Sequence, residues 1–198
     1  MKKASFLERM GAYIIDIWIL FLVTSLVSTF VTFNHDKVKD LNNESNNLTD
    51  MVLNKEIGLT TYISEYASIF QEIDTNNAIY NVVNAFLIIV FFIIIPYFND
   101  GKTIGKTIMK IKVIRDDGSY LSLNNLVIRN FITTSLAYMM LSLSLLYIIP
   151  SVPYFLITVI LGIMQVLLVI LSVFMIIYRR DGRGLQDVIV HTSVVKVK

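Results

Sequence analysis

The chain has 198 residues, 55% of them hydrophobic and only 16% charged, with a formal net charge of +2 and no cysteine. That apolar share is above the range of soluble domains, and the charged share is well below it. Without cysteine, a disulfide framework and a thiolate metal site are excluded, and the redox compartment is left open.

The basic start, "MKKASFLERM", leads into an apolar run over residues 12–33 whose only ionisable group is Asp16. A secretory leader begins in the same way. This run is longer than a leader's core, contains Asp16 and precedes no A-x-A-like site, so it is read as a first membrane span. Along it Thr24, Ser28 and Thr32 recur every four residues. Small residues at that spacing let helices approach closely, and a hydroxyl-lined ion path is the sharper alternative. Residues 34–77 carry three lysines against eight acids. The stretch "NHDKVKDLNNESNNLTD" predicts a flexible, solvated loop, with two glycosylation sequons of the kind that chance supplies in Asn-rich sequence. Beyond it "TYISEYASIFQEI" places Ile63, Tyr66, Phe70 and Ile73 at helical spacing, which predicts a short amphipathic helix over the outer ends of the spans.

Residues 78–98 form a second run, without any charge, and Pro96 near its end predicts a kink. Residues 131–149 and 154–178 are two more, separated at "IIPSVPYF" by a turn around Pro150 and Pro153. A bilayer core takes about 20 apolar residues in a helix. Strands would leave backbone groups unsatisfied in hydrocarbon, so all four runs are expected to be helices. The expected fold class is therefore an all-α membrane protein, a four-transmembrane-helix bundle forming one domain. All but three of the 17 basic residues lie before the first run, in residues 99–130 or in the tail from residue 179. By the positive-inside rule both termini are expected in the cytoplasm, with the acidic loop outside the plasma membrane.

On the expected cytoplasmic side, "KIKVI" alternates in the period of a half-buried strand, and Asp117-Gly118 signals a hairpin. The tail "SVVKVK" is also strand-like. A small sheet is expected, the tail strand pairing with residues 110–114. Between the second run and this strand lies "NDGKTIGKTIM". It places Ile104, Ile108 and Met109 on one helical face and Lys102, Lys106 and Lys110 on another, a pattern suited to the headgroup layer and to anionic lipid.

The same stretch suggests a phosphate-binding loop. A Walker A loop reads G-x-x-x-x-G-K-[ST] between a strand and a helix. Here Gly101 and Gly105 stand one residue too close, Asp100 occupies the position of the first glycine, and a membrane span precedes the loop. Nucleotide binding is excluded on that ground.

"DGKTIGKTIMKIKVIRDDG" instead resembles the middle signature of the RDD family of mostly bacterial membrane proteins. "RMGAYIID" resembles the N-terminal signature and "RGLQDVIVHTSVV" the C-terminal one, so the resemblance covers nearly all of the chain outside the acidic loop. It implies family positions at Arg9, Ala12, Asp16, Gly101, Thr103, Gly105, Lys106, Gly118, Arg183, Asp187 and Thr192. Gln186 stands where a histidine is common, which removes a proton shuttle from that position. Val190-His191 replaces a small pair, and the chain has one apolar run more than the usual core. The resemblance implies a fold more firmly than an activity, with transport the customary suggestion.

Among polar residues, Asp16 lies just inside a span, where an ionisable group is a functional candidate by default. Arg9 is on the same face about 10 Å lower, and Arg129 and Arg183 are candidate partners. The alternative is a structural Asp16 that fixes helix packing. Asp187 is expected to dock the tail onto Arg9 or Arg129. Gln165, in mid-span, is expected to make an interhelical hydrogen bond or a substrate contact. His35 and His191 lie too far apart for a metal site. No cofactor, no enzymatic constellation and no nucleic-acid code is present. The leading expectation is a transport-related protein moving or coupling small cations or protons, with Asp16 as the titrating group. The alternative is a non-transporting scaffold or assembly partner, as a homo-oligomer or with another membrane protein.

Overall fold

A computed structural model describes residues 2–30 and 35–197; the Thr32 end of the hydroxyl stripe falls outside them. Among the described residues, three helices are long and apolar enough to cross a membrane. They are α1 (Phe6–Ser28), the continuous Ala78–Phe98 helix and α9 (Ser151–Tyr178). Ser5 caps α1 by accepting from the Glu8 N–H, while Glu8 returns a bond to the Ser5 backbone. Spanning 28 residues, α9 extends about 42 Å and exceeds the hydrocarbon thickness of about 30 Å.

Within Ala78–Phe98 the chain changes pitch. An α-helical start, α4 (Ala78–Ile89), passes into a π-turn over Val90–Ile94 and ends in a short α5 (Ile95–Phe98). Pro96 explains this. Proline has no N–H, so the carbonyl four residues earlier, Phe92 O, loses its helical donor. The Asn130 amide supplies the missing bond at 2.7 Å. The expected kink is thus absorbed by a π-turn and a side chain from another helix. Replacing Asn130 by leucine should leave Phe92 O unpaired in an apolar core and cost about 1–3 kcal/mol, read as a lower melting temperature of purified protein.

The third apolar run departs from expectation. In place of one helix over residues 131–149, two helices form, α7 (Leu123–Thr133) and α8 (Leu136–Leu145), meeting at 82°. The break falls at Thr134-Ser135. Thr134 Oγ1 donates to Asn130 O at 2.7 Å and accepts from the Leu136 N–H at 3.4 Å. Hydroxyl side chains that bond the local backbone in this way compete with the helical ladder.

The acidic segment also differs from the predicted loop. It forms α2 (His35–Leu53), packed on α3 (Leu59–Asn76). Leu41 and Leu48, seven residues apart, are buried on one stripe of α2 against Ile69 of α3. Polar composition hid this narrow seam. At this far end Gln71 donates to Leu146 O at 2.8 Å and to Ile149 O at 3.0 Å, closing the turn between α8 and α9. The Tyr154 hydroxyl donates to Asp74 at 2.6 Å.

At the opposite end, after the short helix α6 (Ile104–Ile108), β1 (Ile111–Arg115) pairs antiparallel with β2 (Thr192–Lys196), Val113 opposite Val194. Lys3 adds an isolated bridge to Val195. The tail strand is the partner expected from sequence. The hairpin signal at Asp117-Gly118 makes only a turn, since the next element in the chain is α7 and not a strand. Ala4, Ala12, Ile111, Val113 and Val194 form the core of this sheet end. Between the two ends Leu20, Ile88, Phe92, Leu126 and Leu136 tie α1, α4, α7 and α8 together.

Candidate functional site

Stretches remote in sequence meet where the helices reach the sheet. α1 presents Arg9 and Asp16, the chain before α6 presents Thr103, and α6 itself carries Gly105 and Lys106. Arg129 and Asn130 come from α7, while α10 (Leu185–Ile189) and β2 supply Asp187 and Thr192.

Asp16 is 2% exposed. It accepts from the Thr103 hydroxyl at 2.5 Å and from the Gly105 N–H at 2.7 Å. Thr103 is also the N-cap of α6, accepting from the Lys106 N–H at 3.2 Å. Such a close approach depends on glycine, since a Cβ at position 105 would stand 2.1 Å from the Ala12 carbonyl oxygen of α1. Gly101, at a φ of +75° that only glycine adopts freely, lets the loop fold back on Val113. The glycines and threonine that suggest a phosphate loop therefore do grip an anion. It is the protein's own carboxylate.

Arg9 and Arg129 do not pair with Asp16, which has no ion pair among the described residues. Both converge on Asp187, which is fully buried. Arg9 Nη1 donates to Asp187 Oδ2 at 2.8 Å, and Arg129 Nη1 donates to Oδ1. The Gly184 N–H donates at 3.2 Å and Thr192 Oγ1 at 3.5 Å. Burial by itself would raise the Asp187 carboxyl, but Arg129 and Arg9 outweigh it and hold the group below the ordinary carboxylate range.

Other candidates lie apart. Arg183, proposed as a partner of Asp16, instead pairs with Asp116 at 2.6 Å and Asp181 at 2.9 Å. Gly118 sits in the turn after β1, open on all sides. Gln165 donates to Ile132 O at 3.0 Å and so joins α9 to α7. Two participants were not singled out from sequence as site residues. One is Gln186, which accepts from the Ser172 hydroxyl. The other is Asn130, for which the proline four residues beyond Phe92 signals the need but not the donor.

A cavity of about 300 Å³ opens beside this network, at the small end of the range for ligand pockets. Its polar wall is made by Arg9, Asp16, Lys106, Arg129, Asn130 and Gln186. Two features stand out. Arg9 Nε and Nη2 are buried with no hydrogen-bond acceptor. The Lys106 ammonium, on a partly buried side chain, has no ion pair among the described residues. Burial first, then the neighbouring Arg129, pulls Lys106 down to about 8. Three cations, Arg9, Lys106 and Arg129, thus face two carboxylates, Asp16 and Asp187, leaving one positive charge over.

A model of the RDD family matches residues 3–191, which include every member of the cluster except Thr192. No curated protein and no solved structure matches the chain. The matched span takes in the first two signature stretches and the third as far as His191, and the fold gathers their residues at one end of the bundle. The chain is a member of the RDD family.

Proposed function

We propose that this is a multi-pass, transport-related membrane protein whose sheet-end cavity binds an anion and exchanges a proton at Lys106. The bent α7–α8 pair serves as a fourth crossing, since α7 meets the sheet-end cluster and α8 reaches Gln71 at the far end. Basic residues gathered around the sheet support a cytoplasmic location for it and for both chain ends, with α2 and α3 outside the plasma membrane. The protein is read as a binder or carrier, with no catalytic role assigned.

One observation carries the reading: one cavity is lined both by Arg9, whose Nε and Nη2 are buried without an acceptor, and by Lys106, which has no ion pair among the described residues. A small cation at Asp16, the expectation from an ionisable group inside a span and from the family resemblance, is less well supported. Both Asp16 oxygens are occupied by Thr103 and Gly105, and three cations surround the space. An anion beside Lys106 favours its charged form, so binding above about pH 8 takes up a proton and affinity falls as pH rises past that value.

The test is thermal melting of delipidated, detergent-purified protein in sodium phosphate against sodium chloride at matched ionic strength. Phosphate should raise the melting temperature of the parent and leave Lys106→Met unmoved. No rise in the parent, or equal rises in both, would reject the anion site. A rise specific to sodium over choline would restore the cation reading.

Without ligand the sign differs. The Lys106 pKa is lowered in the folded protein, so the unfolded chain binds more protons between about pH 8 and 10.5. Stability from this group therefore increases as pH rises through that window. Asp16, Asp187, Arg9 and Arg129 are the charges facing it. We expect the parent to gain melting temperature across the window relative to Lys106→Met, whose trace lacks that component.

A second reading, a non-transporting scaffold, is favoured by the engagement of Asp16 and Asp187 in internal bonds. Under it Lys106→Met would change neither ligand response nor partner-free behaviour, and a homo-oligomer or a second membrane protein would be the relevant partner.

A further inference from the structure

We propose that the cavity receives the phosphodiester headgroup of a singly charged anionic lipid, which enters sideways from the bilayer between α1 and α9. This rests on the anion reading above and adds the identity and route of the occupant.

The first ground is the shape of the donor set. In a guanidinium, Nε–H and one Nη2–H lie parallel on a single edge and form a complete two-pronged fork. Arg9 spends its other terminal nitrogen, Nη1, on Asp187. The fork edge is the one left without an acceptor, on a side chain only 9% exposed. Two non-bridging phosphate oxygens match that edge, and Lys106 adds a third donor from α6. Burying such donors unpaired is costly, so their retention fits a site completed by a ligand.

Charge is the second ground. One surplus positive charge is neutralised by one phosphodiester. A zwitterionic headgroup would instead bring its own cation beside Arg9, Lys106 and Arg129 and leave the surplus in place.

The third ground is the mouth. The rest of the lining is largely apolar and includes Tyr13 on α1 and Val169, Val173 and Ile176 on α9. Tyr13 and Val173 are 43% and 37% exposed on the apolar surface of the bundle. The cavity lining thus reaches the apolar surface of the bundle at these two residues. A water-soluble anion has no need of such a doorway, whereas a lipid places its phosphate inside and leaves its acyl chains along α9.

The shared chemistry, a phosphate oxyanion, has two sources, and the experiment separates them. Delipidated protein is mixed with dioleoyl-phosphatidylglycerol, dioleoyl-phosphatidylcholine or inorganic phosphate, and bound lipid is counted by native mass spectrometry beside melting curves. The expected result is one phosphatidylglycerol retained per chain, with phosphatidylcholine retained at least roughly tenfold less. Lys106→Met should lose retention by a similar factor and Lys106→Arg should recover it. Val173→Trp, which narrows the mouth, should abolish lipid retention yet keep the melting response to inorganic phosphate. A phosphate response without lipid retention overturns the lipid proposal while the anion site stands. Equal retention of both lipids overturns it as well. No response to phosphate or to either lipid sinks the anion reading with it.

Discussion

Asp187→Asn should destabilise the protein by about 3–5 kcal/mol, among the largest effects of any single polar substitution in this fold. Removing one partner of a buried ion pair leaves the other charge uncompensated, and that loss is of this order. Here one carboxylate serves two guanidiniums, from α1 and α7, each less than a tenth exposed. The amide retains one acceptor oxygen but no charge, and its NH₂ faces a donor. Melting of the purified variant, and its yield in the membrane fraction, read the effect directly. Replacing Arg9, Arg129 and Asp187 together by apolar residues should cost less than Asp187→Asn, because a buried network removed whole leaves no orphan charge. If Asp187→Asn melts with the parent, the ion-pair account of the sheet end is wrong.

The second large effect belongs to Gly105→Ala. The added methyl would sit 2.1 Å from Ala12 O and 2.9 Å from the Asp16 carboxyl carbon, neither of which is the end of a flexible chain. Either α6 lifts away from α1 or the backbone shifts. Both outcomes lengthen the Thr103 and Gly105 bonds to Asp16 and strand a buried carboxylate. Overpacking costs about 1–3 kcal/mol on its own, and the stranded charge adds to it. Gly118→Ala provides the contrast. It strains a positive φ but meets nothing in space, so it should cost about 1 kcal/mol. Comparable melting temperatures for the two variants would refute the close-contact argument.

The apolar runs were legible because hydrocarbon length and the need to satisfy every backbone group leave little choice. The strand pairing across 80 residues was legible for a similar reason: alternation in "KIKVI" and "SVVKVK" offers each a half-buried partner. Helix α2 was not. Its apolar seam rests on Leu41 and Leu48, too thin to stand out from seventeen polar-rich residues. The break at Thr134-Ser135 was hidden as well, since threonine and serine are tolerated in a span and disrupt it only when their hydroxyls turn back on the backbone. At the site, residue identities were readable but pairings were not. Helical spacing places Arg9 below Asp16 on one face, which suggests a pair. The fold instead gives Asp16 to a loop and Arg9 to the tail, because Gly105 permits an approach that no periodicity reveals.

The bond between Arg9 and Asp187 joins residues 178 positions apart. A chain made from its N-terminus therefore delivers the first helix to the bilayer long before the acid that will neutralise its arginine has been synthesised. Until then Arg9 and Arg129 have water or lipid phosphate for counter-ions, and β1 has no neighbour. The final segment thus acts as a clasp fastened after the helices are in place. A chain halted before residue 184 would have neither the acid that pairs with Arg9 and Arg129 nor the strand that pairs with β1.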